Sequence, residues 1–492
     1  MIYRCNVCNS FEYDSNEGEE ENNIPKGAEP YDLPDTWICP ICGSDRSHLQ
    51  PVIEKRKEIH TGFTCPVCGT TSQVATPPAL PNRVTEALLN RMEAPLFVEE
   101  YLADIHQMAE TGRSVIEPMR TTKQVITWDE LLICGAQIAR IPINADVPVL
   151  TRTVIGPRAA QPLVIDTPVY VTHMSFGALS KETKIALARG SARVRTAIGS
   201  GEGGVLPEEQ AHAYRYIFEY VPNQYSLTAE MLRSVDAIEI KLGQSAEPGL
   251  GARLPGEKVT PEIAAVRGYP AGVDIISPAR FTDIRTRDDL KAKVTWLREI
   301  SGGRPVGVKI AAGHIEADLE AIVSAGADFV TIDGRPGGTG AAPKIIKAST
   351  SVPTIFALYR ARETLDRLGA TGTSLVITGG LRVSSDIAKA LALGADAVAL
   401  GTAALMACGC HQHRICSTGR CPEGLTTQDM DLRTRMNSEV GADRLANFLN
   451  VTTAELEDFT RLTGHTDVHD LNRDDLVTTS ATIAAFTDLR HV

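Results

Sequence analysis

Hydrophobic and polar positions alternate along this chain in patterns that divide it. From about Thr127 onward short apolar runs recur, most of them followed by a Gly/Ser-rich turn and a stretch with helical spacing. The runs are Pro168 to Thr172, Arg195 to Ser200, Ala237 to Leu242, Val273 to Ser277, Val306 to Ala311, Phe329 to Asp333, Leu375 to Thr378 and Ala397 to Leu400. Apolar runs of this kind read as parallel strands buried on both faces, and their alternation with helices excludes a sandwich. Eight such units predict an α/β fold, a (β/α)8 TIM barrel within residues 127–492; a doubly wound sheet would need fewer strands. Upstream, residues 83–126 carry apolar residues at helical spacing (Val84, Leu88, Leu89, Met92, then Tyr101, Ile105, Met108) and read as a helical lead-in. Residues 53–82 turn charged and then Thr/Pro-rich, ending in ATPPALPN, which reads as linker.

Residues 1–52 form a separate unit with its own chemistry. Cys5-x-x-Cys8 and Cys39-Pro40-x-Cys42-Gly43 are two knuckles that can close one tetrahedral S4 site, a ligand set that suits iron or zinc. Tyr3, Phe11, Tyr13, Tyr31 and Trp37 load a piece too small to hold itself together by burial alone. With DSNEG at Asp14 to Gly18 and PKGAEPYDLPDTWICPICG at Pro25 to Gly43, the segment resembles rubredoxin. That resemblance implies a one-electron Fe(Cys)4 centre held by Cys5, Cys8, Cys39 and Cys42. Asn9 stands where the family usually has glycine, and asparagine is the next best residue for a left-handed turn. In the linker, His60 and Cys65-x-x-Cys68 make a knuckle without its pair, either a metal site or a reduced structural thiol pair.

In a barrel the chemistry lies in the loops that follow the strands. Thr378-Gly379-Gly380-Leu381 and Leu400-Gly401-Thr402-Ala403 end the seventh and eighth runs, where barrels hold a phosphate against glycine backbone. Lys309 sits amid the apolar Val306-Gly307-Val308-Lys309-Ile310 run, and a buried ammonium calls for an anion beside it. Just past the last run, Cys410, Cys416 and Cys421 lie so close together that a soft metal or iron–sulfur site is expected before a disulfide. Cys408 is a further thiol, either a fourth ligand or a buried spectator.

SFGALS, GEGG, EIKLGQSAEPGLGARLPGEKVTPEIAAVR, GGTGAAP, TGGLR, GTAAL and GCHQHRICSTGRCPEGLTTQ follow one another in the order found in the FMN-binding domain of glutamate synthase. Over roughly residues 125–480 the chain resembles that family. The resemblance implies a barrel binding FMN, lined by Met174, Ser175 and Lys309, with its phosphate on Gly379, Gly380, Gly401 and Thr402. It implies a [3Fe–4S] cluster on Cys410, Cys416 and Cys421, and reduction of 2-iminoglutarate, formed from 2-oxoglutarate and ammonia, to L-glutamate. Glu202 would be a polar or proton-handling group near the ring or a cap on a glycine turn. Arg267 corresponds to the family's arginine for the substrate carboxylate, a role its planar fork suits. Glu247 and Arg253 replace the lysine and glutamine that approach the oxo acid in the family, so a different oxo acid, an N-substituted amino acid, or an electron-transfer subunit without its own substrate are the alternatives.

Composition narrows the partners. The formal net charge is −12, which argues against nucleic acid, and no run approaches the roughly 18 apolar residues of a membrane span. MIYRCNVCNS lacks the apolar region of a signal peptide, so a cytoplasmic protein is expected. Residues 1–52 hold ten Asp/Glu against Arg4, Lys26 and Arg46, an acidic face that could steer a redox partner protein. Because the chain opens on the rubredoxin-like segment, ammonia is expected from solution or a separate glutaminase subunit, and electrons from outside. Assembly into an oligomer is compatible with the sequence.

Overall fold

The computed structural model describes residues 2–5, 11–17, 24–34, 36–41, 43–51, 62–64, 71–73 and 99–492. Two compact units divide between Val115 and Ile116. Cys8, Asn9, Cys42, His60, Cys65, Cys68 and the first half of the helical lead-in lie outside the described residues.

In the first unit, Ile2–Cys5 is the central strand of a small antiparallel sheet, flanked by Glu12–Asp14 and Leu49–Pro51. Tyr3, Tyr13, Leu33 and Trp37 are buried against one another, and the Phe11 and Trp37 rings lie 5.8 Å apart. Burial explains four of the five aromatics; Tyr31 is exposed. Cys5 and Cys39 are both buried, with the Cys39 N–H donating to Ser44 O at 2.7 Å and that of Gly43 donating to Cys39 O at 2.8 Å.

The second unit is a closed barrel of eight parallel strands: β1 (Val169–Val171), β2 (Ala197–Gly199), β3 (Arg215–Tyr220), β4 (Ala237–Lys241), β5 (Val306–Ala311), β6 (Phe329–Asp333), β7 (Ser374–Thr378) and β8 (Ala397–Leu400). Closure is direct, with Val169 opposite Val398 and Val171 opposite Leu400. Seven strands coincide with the expected runs and one does not. Val273 to Ser277 is no barrel strand: Ile275–Ile276 pairs antiparallel with Arg253–Leu254 in a ribbon inside the long β4 connection. The third strand is instead Arg215–Tyr220, whose apolar run is broken by Glu219. That glutamate faces inward, so the property that places it at the site is the one that hides the strand.

Alternation along the strands builds the interior in layers. Tyr170, Ala197, Ile217, Ala237, Phe329, Val376 and Ala397 share a buried cluster with Ile155, Leu163 and Ile165 of the antiparallel hairpin before β1. Two residues further along the strands the interior turns polar, with Glu219, Glu239, Lys309 and Thr331 all buried. Outside the sheet, α1 (Lys181–Arg193) starts where the Ser180 side chain accepts from the Thr183 N–H. It packs on α2 (Ser438–Leu462), Gly190 lying against Leu445. No helix among the described residues is long and apolar enough to cross a membrane.

Candidate active site

Four connected spaces open where the strands end. The largest, about 1110 Å³, is lined by Met174, Ser175, Glu202, Lys241, Gly401 and Thr402, and on its far side by Cys410, Cys416 and Cys421. A polar cleft of about 520 Å³ continues from it past Thr172, Gly338 and Thr402 to Lys309, Gly379, Gly380 and Arg382. Two further compartments of about 650 Å³ adjoin the chamber, one beside Arg267 and Lys258, the other beside Leu250 and Phe281. Glu202 borders the central chamber and both of these compartments.

The polar cleft is a cradle that only bare backbone can form. Gly379 has φ +107°, and a Cβ there would stand 2.1 Å from Gly334 O. The sequence singled out Gly379, Gly380, Gly401 and Thr402; the structure adds Arg382. Burial and the neighbouring Arg120 disfavour its charge, a cost that a phosphate dianion would offset. Arg382 lies two residues after the glycine pair in TGGLR, so its position in that motif was a usable signal.

Lys309 is buried, and its Nζ lies 3.7 Å from Glu219 Oε1. The protein itself therefore supplies an anion for it. Around this pair, His173 Nε2 faces Glu239 Oε2 at 3.1 Å, while the Gly201 N–H donates to His173 Nδ1 at 3.2 Å, which puts the neutral ring's proton on Nε2. Thr331 Oγ1 donates to the other oxygen of Glu239. Desolvation raises the Glu219 and Glu239 carboxyls, but His173 and the neighbouring lysines outweigh it, so both sit below the usual glutamate range. Gly201 is required here: φ is +78°, and a Cβ would meet the Met174–Ser175 backbone at 2.4 Å.

Glu202 does not cap its glycine turn. Its Oε2 accepts from Lys241 Nζ at 2.5 Å, inside the chamber wall. Burial works against charge on Lys241, but Glu202 and Glu219 more than compensate and hold the ammonium above its ordinary range. Glu247 is 6% exposed and accepts from Gln244 Nε2. Burial first and then Glu202 push its carboxyl up to about 7. Arg267 is buried with Nη2 donating to Phe176 O at 2.7 Å and Nε without a hydrogen-bond partner. Arg253 borders the same compartment, but its guanidinium is largely exposed and paired with Asp274. Lys258, unremarked in the sequence, is buried and donates to Cys416 O at 2.8 Å, tying this compartment to the cysteine loop.

The cysteine loop follows β8 after a six-residue helix, Thr402–Ala407. Burial, then the neighbouring Cys416 and Cys421, raise the Cys410 thiol to about 11; burial also raises Cys416. Thiols held back from ionising, as Cys410 and Cys416 are, need a neighbouring cation to become thiolates, and a metal bound beside them would supply one. Cys408 points elsewhere, its Sγ 3.5 Å from Gly441 O on α2 and its thiol pushed up to about 12 by burial. It is a buried core residue.

A (β/α)8 barrel whose glycine-lined polar cleft opens into a chamber lined by three cysteines, with a buried arginine beyond it, is the arrangement of a barrel oxidoreductase. The model of the conserved region in glutamate synthase matches residues 106–466, and that of rubredoxin matches residues 2–49. The chain belongs to the glutamate synthase family and carries a rubredoxin domain at its N-terminal end. It is 37% identical over 409 residues to a glutamate synthase large subunit-like protein of Rhizobium meliloti, covering 79% of this chain and 92% of that one. It is 40% identical over 379 residues to the archaeal-type glutamate synthase [NADPH] of Dehalococcoides mccartyi, covering 73% and 76%. The archaeal glutamate synthase [NADPH] of Methanocaldococcus jannaschii is 36% identical over 426 residues, covering 80% and 84%. Among solved structures, a mandelate oxidase variant with a monooxide FMN adduct aligns at 17% identity and a TM-score of 0.46 over 71% of this chain and 88% of its own, too distant to inform the chemistry.

Proposed function

We infer that the protein reductively aminates a 2-oxo acid, most simply 2-oxoglutarate to L-glutamate, with FMN in the barrel, a [3Fe–4S] cluster on Cys410, Cys416 and Cys421, and iron in the rubredoxin domain. One observation carries this reading: a single chamber is lined both by Gly401 and Thr402, which also line the glycine cleft, and by all three cysteines. FMN, when bound, supplies the hydride. The cleft fits its phosphate through Gly379, Gly380, Thr402 and Arg382, and the chamber beside Met174, Ser175 and Lys241 has room for its ring system.

The chain's own groups divide the remaining work. Arg267, desolvated and with Nε unpartnered, binds the oxo-acid carboxylate, with Lys258 as a second positive charge in the same compartment. Glu202 and Lys241, hydrogen-bonded at the junction of the compartments, hold the proton that an imine nitrogen carries when its carbon is reduced. His173, Glu239 and Glu219 surround Lys309 and hold it in place within the barrel.

Iron in the rubredoxin domain and a cluster on Cys410, Cys416 and Cys421 would supply one-electron transfer from an outside donor. Two of the three named relatives carry NADPH in their names, so NADPH and a reduced carrier protein are the donors to compare. The test is anaerobic purification with metal, sulfide and flavin analysis. FMN, about four iron atoms per chain and glutamate formed from 2-oxoglutarate and a nitrogen donor are expected; zinc alone with no flavin would refute the reading.

A further inference from the structure

Two compartments flank Glu202, and they differ in kind. The one that holds Arg267 and Lys258 is built for carboxylate. The other joins it at Glu202 and Glu247 and leads outward between Val221, Leu242, Leu250, Phe281 and Ile284. Phe281 is 3% exposed and stacks on Tyr220 at 5.5 Å, which fixes the inner part of this apolar wall, while Leu242 and Leu250 stand exposed. At the inner end, two carboxylates, Glu202 and Glu247, share one lysine, Lys241; Arg280 stands on the exposed rim.

An oxo-acid carboxylate would be repelled by Glu247. Ammonia would use the carboxylate and leave the apolar side of the compartment, Val221, Leu242, Leu250, Phe281 and Ile284, without a role. A primary alkylammonium ion uses both, with its charge on Glu247 and its alkyl chain on Leu250, Phe281 and Ile284. We propose that this compartment is the nitrogen-donor subsite and that the donor is a primary alkylamine, giving an N-alkyl amino acid. The proposal rests on the reductive amination inferred above.

The chemistry balances. The alkylammonium gives one proton to the Glu247 carboxylate, and the free amine attacks the oxo-acid carbonyl, forming the C–N bond. The carbinol oxygen then leaves as water, taking up the proton from Glu247 and leaving an iminium. Bound reduced FMN would supply the hydride, two electrons and a proton, that turns the iminium carbon into that of the secondary amine. Glu247 is suited to take and return that proton because its carboxyl titrates near neutrality.

The test compares ammonium, methylammonium and n-propylammonium as donors to 2-oxoglutarate with chemically reduced holoenzyme, products being identified by mass. A second readout titrates n-propylammonium chloride into oxidised holoenzyme and follows the flavin difference spectrum. Each methylene buried on the apolar wall tightens binding about fourfold, so KM for n-propylammonium should lie at least about tenfold below that for ammonium. Leu250→Trp should raise the n-propylammonium KM at least tenfold, far more than the ammonium KM, and Glu247→Lys should abolish the n-propylammonium difference spectrum. Ammonium as the better donor, or no difference spectrum with n-propylammonium, would overturn this proposal and leave the reductive amination standing. Failure of every donor would overturn both.

Discussion

Replacing Glu247 by glutamine keeps its size and its ability to accept from Gln244, and removes only the ionisable carboxyl. In the folded protein this carboxyl titrates near 7 instead of its ordinary 4.5, because burial and then Glu202 disfavour its charge. The folded state thus binds this proton more tightly than the unfolded chain. The corresponding stability is fully present below pH 4.5 and is lost as pH rises through 7. Ionisation of Glu247 costs the folded protein about 3 kcal/mol at pH 8 and about 1 kcal/mol at pH 5. The stabilisation by Glu247→Gln should therefore be about 2 kcal/mol larger at pH 8 than at pH 5. A unit as long as Ile116–Val492 loses roughly 0.8 kcal/mol of stability per degree near its midpoint, so the difference is about 3 °C in Tm. Paired calorimetric scans of wild type and variant between pH 5 and 8 measure it. A gain that is independent of pH, or larger at pH 5, would refute the placement of this carboxylate in a desolvated site beside Glu202.

Gly379→Ala brings a Cβ to within 2.1 Å of Gly334 O at φ +107° and should empty the cradle; flavin content per chain should fall at least tenfold, and normal FMN content would remove Gly379 from the phosphate site. Cys416→Ser should abolish the cluster's electron paramagnetic resonance signal with the flavin spectrum retained, and an unchanged signal would exclude Cys416 as a ligand. Cys39→Ser should bleach the rubredoxin absorption and slow turnover with a protein electron donor, while turnover with a small chemical reductant continues; equal loss with both reductants would contradict the electron route.

Motifs whose chemistry is local were legible in the sequence. The glycine pairs at Gly379 and Gly401 and the spacing of Cys410, Cys416 and Cys421 can be read within a few residues, and the structure brings all of them to connected spaces. Seven of the eight strands were visible because apolar runs mark them. The eighth was hidden by Glu219, an acid that a strand tolerates only where the interior supplies Lys309 and His173, partners 90 and 46 positions away. His173, Glu239 and Lys258 escaped for the same reason: each owes its role to a partner from another strand or loop. Glu247 was visible as a departure from the family pattern, but its environment was not, since Glu202 and Lys241 reach it from the ends of two different strands, β2 and β4.

The central claim is that one chamber joins flavin, cluster and oxo-acid site. Stopped-flow spectroscopy of the anaerobically reduced protein tests it most directly, by mixing with 2-oxoglutarate alone, with a nitrogen donor alone, and with both. The account predicts that the oxidised-flavin absorbance returns only with both, in step with formation of the amino-acid product. Reduced flavin that stays reduced with every combination, or a protein that carries no flavin, would contradict it.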